Sequence, residues 1–134
     1  MIKVFQNEYS PTTGDCQRAC TASIFELKIE QVPHFRLFND DLWWTVFCGF
    51  IWSMGYEVLG TGKPKENVFP EHSIDGLILA CVPVQTGKNL AHNVILNLKG
   101  IVVHDPDKNE NWLGKNVLKS GDLDSWDIIK KRQE

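Results

Sequence analysis

The chain reads as an α+β domain of N-terminal helices packed on a C-terminal antiparallel β-sheet. Two observations predict this. In the first half, apolar residues recur at helical i, i+3, i+4 spacing; in the second half, they form short continuous or alternating runs. Lys99-Gly100 then joins two of those runs as a tight hairpin turn, so the strands it connects are antiparallel. Helices first and strands second is the order of a two-layer domain with segregated elements. A length of 134 residues suits one compact domain, 1–134.

The elements follow in order. Residues 2–5 form a short strand or an extended lead-in. The next ten residues carry Pro11, Gly14 and several hydroxyl side chains and read as a loop. Asp15 is a good N-cap. From it, Cys16, Ala19, Cys20, Ser23, Ile24 and Leu27 make one face of an amphipathic helix, with Gln17, Arg18, Thr21 and Glu26 largely elsewhere. Asn39-Asp40-Asp41 opens a second helix whose stripe is Leu42, Val46, Phe47, Phe50, Ile51 and Met54, stopped by Gly55. Residues 56–59 look like a strand and 60–72 like a polar loop. The apolar run 76–84 has the character of a strand buried on both faces. Strands at 92–98 and 101–104 form the hairpin. A short helix is expected near 123–131.

Composition narrows the function classes. The apolar fraction is 43% and fourteen residues are Phe, Trp or Tyr, ample for a buried interior. The net charge is −3, with charges scattered along the chain. That argues against nucleic acid as the main partner. The basic run Lys130-Lys131-Arg132 reads as a solvated tail. The most apolar stretch, 42–54, is too short to span a bilayer and is interrupted by Thr45, Gly49 and Ser53. No membrane partner is expected, and the lack of a signal-peptide core at 1–5 points to the cytoplasm. The four cysteines, at 16, 20, 48 and 81, form no C-x-x-C pair. They read as free thiols, with Cys48 and Cys81 as small core residues.

Cys16 stands where a turn-forming segment enters a helix. The first helical turn exposes unpaired N–H groups and the positive end of the dipole, which stabilise a thiolate and an oxyanion alike. A thiol nucleophile needs a base, and the base an orienting group. His34 and His72 lie beside prolines in loop-like segments and read as surface or structural residues. His92 and His104 lie in the hairpin. With Lys99-Gly100 as a two-residue turn, Leu98 pairs with Ile101, Leu96 with Val103 and Val94 with Asp105. His92, Val94, Leu96 and Leu98 then share a face with Ile101, Val103 and Asp105. His92 and Asp105 become diagonal neighbours, about 7–8 Å apart, and His104 points the other way with Asn93, Ile95 and Asn97. The apolar His92 face is the expected platform for the Cys16 helix. A one-residue slip of the turn would substitute His104.

Cys16 opening a helix, the segment Ala91-His92-Asn93-Val94-Ile95, and Val103-His104-Asp105-Pro106 together resemble the papain-like cysteine peptidase superfamily, most closely its small C39-like branch. Gln6 and the loop ending Thr13-Gly14-Asp15 match the start of that pattern, so the likeness runs from about residue 4 to residue 106. The resemblance implies Cys16 as nucleophile, His92 as general base and later acid, Asp105 as orienter and Gln6 as an oxyanion donor. The spacing from Gln6 to Cys16 is longer than in the compact motif, so the intervening loop must fold back. Gln17 stands where the family has Gly, and is a rival donor whose alternative is an exposed helix position.

The activity implied is a thiol-dependent hydrolase that cleaves a peptide or isopeptide bond through a thioester, with a protein or peptide as substrate. A deamidase or acyltransferase would keep the same triad, and a non-catalytic binding module would keep the same fold. No cofactor is expected, and Cys16, Cys20 and His92 have poor spacing for a metal site. Oligomeric state is open at this level.

Overall fold

A five-stranded antiparallel sheet in the order β1-β5-β2-β3-β4 carries two helices on one face. The architecture is taken from a computed structural model, which describes residues 1–9, 14–39, 41–59, 70–83 and 91–133. The expectations that fall on Asp40, Val84 and the loop residues 10–13 and 60–69 lie outside the described residues.

Helix α1 is Cys16–Phe25 and α2 is Trp43–Ser53. The strands are β1 Tyr56–Leu59, β2 Ile78–Pro83, β3 Ala91–Leu96, β4 Val102–His104 and β5 Ser125–Lys131; a one-turn helix α3, Val117–Ser120, precedes β5. The helices therefore come first and the strands second, as the apolar spacing predicts.

Two apolar layers sandwich the sheet. One contains Ala80, Val82, Val94, Leu96, Val102, Trp112, Trp126 and Ile128. The other packs Cys20, Ala22 and Ile24 of α1 and Phe47 and Ile51 of α2 on Leu79, Ile95 and Ile129. Strand alternation explains the division: even-numbered residues of β2, β3 and β5 face one layer, odd-numbered ones the other.

The structure corrects several expectations. The segment 123–131 is not a helix but contains β5, paired with both β1 and β2. Trp126 and Ile128 enter one core and Ile129 the other, a period of two that only a strand satisfies. Lys130 and Lys131 consequently pair with Glu57 and Tyr56 rather than form a tail, and Arg132 lies over the Trp52 ring at 4.2 Å. Residues 2–5 are the extended lead-in rather than a strand, and Val4 N–H donates to Ser23 Oγ of α1 at 2.9 Å. Gln17 and Thr21, expected to point away from the core, are buried. In α2 only Phe47 and Ile51 are buried, while Leu42 is exposed.

The hairpin turn is wider than two residues. Gly100 N–H donates to Asn97 O at 3.0 Å and Asn97 N–H to Ile101 O at 2.9 Å. Leu96 therefore pairs with Val102, not Val103. A bulge follows at once, and Ile95 pairs with His104. Val103 is the extra residue, so the shift introduced at the turn is undone before the strand reaches its outer end.

Candidate active site

The restored register places Asp105 on the same side of the hairpin as His92. His92 Nε2 donates to Asp105 Oδ1 at 2.7 Å. Asp105 is wholly buried and accepts two further hydrogen bonds, from Asp107 N–H at 3.0 Å and Trp112 N–H at 3.0 Å. Burial by itself would raise this carboxyl. The bonds from His92, Trp112 and Asp107 outweigh it and hold the carboxyl below its usual value. Asp105 is thus a fixed anion at neutral pH.

His92 responds in the opposite sense. Burial disfavours the imidazolium, but the hydrogen bond to Asp105 and a second with Cys16, together with the charges on both, lift it to about 9. With Nε2 bound to the carboxylate, Nδ1 is the ring nitrogen left for the thiol. His104 behaves differently. It is wholly buried, its Nε2–H donates to Val4 O at 2.7 Å, and burial lowers it below the ordinary histidine value. It pins the N-terminal segment to β4 as a neutral ring.

Cys16 reaches His92 from an unexpected side. Helix α1 packs on the Leu79, Ile95 and Ile129 layer, not on the face shared by His92, Val94 and Leu96. Both faces are apolar, so apolarity did not distinguish them. The thiol and imidazole still meet, near the outer end of β3, and their hydrogen bond is one of the effects that raise His92.

Asn93 belongs to the site although sequence reasoning placed it only on the opposite face. Cys16 Sγ–H donates to Asn93 Oδ1 at 3.4 Å, and Cys20 Sγ–H to Asn93 O at 3.5 Å. The amide is oriented by donation from Nδ2 to Ala80 O at 3.4 Å and to Cys81 Sγ at 3.3 Å. The signal was present in the i, i+4 thiols of α1, which present two sulfurs to one strand residue. Cys81, expected in the core, is half-buried beside this amide.

Asp15 shows how the long loop folds back. Its carboxylate does not cap α1. It is buried and accepts from Asn7 N–H at 3.0 Å and Glu8 N–H at 3.0 Å. Gln6 N–H in turn donates to Pro106 O at 3.0 Å, which sets Gln6 beside the Asp105 strand end. The Gln6 side chain is buried; one amide hydrogen goes to Glu8 O at 2.8 Å, and Oε1 has no partner among the described residues. The structure records no hydrogen bond from this amide to Cys16. His34, by contrast, pairs with Glu8 at 3.2 Å.

Among the described residues, no three His, Cys, Asp or Glu side chains converge as metal ligands, and no helix is long and apolar enough to cross a membrane. Comparison with protein-family models, curated proteins and solved structures finds no match.

Proposed function

We propose that the chain is a small thiol hydrolase of papain-like, C39-like architecture that cleaves an amide bond, peptide or isopeptide, in a protein or peptide substrate. The observation that carries this reading is the relay Cys16–His92–Asp105, in which one ring nitrogen is held by a buried carboxylate and the other is left for a thiol at a helix start.

An imidazolium persists on His92 at neutral pH, and it is the ion-pair partner a thiolate requires. With its thiol proton transferred to His92, Cys16 attacks the carbonyl carbon as the thiolate, forming a C–S bond while the carbonyl electrons move onto oxygen. The Cys16 backbone N–H, in the first turn of α1, has no intrahelical acceptor and faces the developing charge. The second amide hydrogen of Gln6 is the other donor. When the oxyanion collapses, His92 gives its proton to the departing amine and a thioester remains. Neutral His92 then takes a proton from water, the hydroxide attacks the thioester, and the acid and the Cys16–His92 pair are regenerated. Asp105 keeps the ring oriented throughout and supports its positive charge.

The test is thiol selectivity. Burial raises the Cys20, Cys48 and Cys81 thiols, so a thiol-reactive amide-substrate probe should label Cys16 first and label nothing quickly in Cys16→Ala. His92→Ala should slow Cys16 labelling at pH 7 by about tenfold or more. Equal reactivity at Cys48 or Cys81, or an inert Cys16, would overturn the reading.

A further inference from the structure

The helix-facing side of the sheet changes chemistry as it approaches Cys16. Its inner part is Leu79, Ile95 and Ile129, all wholly buried. Towards the outer end, Asn93 on β3, Cys81 on β2 and Ser125 on β5 are ladder neighbours in one row. Asp127 stands on the same face, paired with Leu79. Cys81, Ser125 and Asp127 are each half-buried, as are Cys16 on α1 and Cys48 on α2. The layer between the helices and the sheet is therefore polar and accessible to solvent at this end.

A chain of contacts links the nucleophile to that acid. Cys16 bonds Asn93, Asn93 bonds Cys81, and Cys81 bonds Ser125. Asp127 lies close enough to Cys81 and to Cys48 that its charge raises both thiols. Strand β5 is two strand spacings from β3, roughly 10 Å. Among the described residues the Asp127 carboxylate has no ion-pair or hydrogen-bond partner. Burial alone pushes its carboxyl up to about 7, a desolvation cost that a bound cation would relieve.

We propose that Asp127, with Ser125 and Cys81, forms a subsite for a cationic substrate side chain, of the lysine or arginine class, within about three residues of the scissile bond. This rests on the thiol-hydrolase reading and adds the substrate class. The carboxylate supplies a charge-assisted acceptor, and the Ser125 hydroxyl a neutral one beside it.

Peptidyl chloromethyl ketones of matched sequence, with lysine or norleucine at each of the three residues nearest the reactive carbon, test it through the rate of Cys16 alkylation. Lysine at one position should accelerate alkylation about tenfold over norleucine, and Asp127→Asn should bring that ratio close to unity. Asp122→Asn, which removes an exposed carboxylate elsewhere, should keep the wild-type ratio. Asp127→Ser reads the same ratio if the Asn variant does not fold. A preference that survives in Asp127→Asn, or equal rates at all positions in the wild type, overturns the subsite while leaving the nucleophile intact. A Cys16 that reacts with none of the probes overturns the hydrolase reading and the subsite with it.

Discussion

His92 Nε2 and Asp105 Oδ1 are 2.7 Å apart, and the carboxylate is sealed from solvent. The pair joins the start of β3 to the residue after β4, so the outer end of the hairpin is tied by a charge-assisted bond as well as by the ladder. The imidazole should titrate near 9, against about 6.5 in an unfolded chain. NMR titration of His92 should give that midpoint in the wild type. Asp105→Asn should lower it, as should Cys16→Ala, because each removes a group that favours the charged ring. A wild-type midpoint at or below about 6.5 would falsify the ion-pair arrangement.

The same shift has a stability consequence. The folded state holds the His92 proton more tightly than the unfolded state, so its contribution is complete below about pH 6.5 and is lost as pH rises through 9. Urea denaturation from pH 6 to pH 10 should show this decline, on the order of 2–3 kcal/mol, and His92→Gln should flatten it. An equally steep decline in the variant would assign it to another group.

Asp15 offers a prediction about the loop between Gln6 and Cys16. Its buried carboxylate accepts the Asn7 and Glu8 N–H groups, so Asp15→Ala strands two donors. Stability should fall by about 2–4 kcal/mol, and Asp15→Asn, which keeps one acceptor oxygen, should cost less. Hydrogen exchange is the sharper readout: the Asn7 and Glu8 amides should lose protection before those of β2 and β3. Unchanged exchange at both amides would mean that the loop is held by something other than Asp15.

Gly100 sets the turn on which the register depends. Its φ is +83°, and a Cβ there would lie 2.6 Å from Leu118 Cδ1 and 2.7 Å from Leu118 Cβ. Gly100→Ala meets both a left-handed backbone and a clash with α3, so it should destabilise by about 2–4 kcal/mol. Leu118→Gly removes the whole clashing side chain but keeps the backbone strain, so Gly100→Ala should cost less in that background than in the wild type. If it costs the same in both backgrounds, the backbone conformation alone carries the cost.

The hairpin also shows where sequence reasoning succeeds and where it does not. Parity alone chose His92 over His104 as the partner of Asp105, and the structure pairs those two. Yet the turn is not the expected one. The choice survives because the bulge at Val103 returns the ladder to the expected register before Asp105. Bulges depend on packing against other elements and leave little local trace. The helix platform was misplaced for a related reason: β3 is buried on both faces, so apolarity cannot say which face takes α1. Strand β5 was hidden because its partners, β1 and β2, lie far away in sequence, and strand formation at 125–131 is decided by those partners more than by local propensity. Asn93 went unread because its role comes from three thiols that converge only in the folded chain.

Asp127 provides a prediction that does not depend on any substrate. Burial raises its folded-state carboxyl from 3.8 to about 7, so between those values the folded chain binds a proton that the unfolded chain has released. Its contribution to stability is present below the unfolded value and is lost as pH rises to about 7. Asp127→Asn cannot ionise, so it should exceed the wild type in stability by a margin that grows from pH 4 and levels off above pH 7, reaching on the order of 2–4 kcal/mol. This window lies below that of His92, so the two variants should flatten different parts of the same stability profile. Denaturation of both variants at half-unit pH steps separates them. A wild type as stable as Asp127→Asn at pH 8 would show that the carboxylate is already compensated in the folded chain and that its titration is not raised.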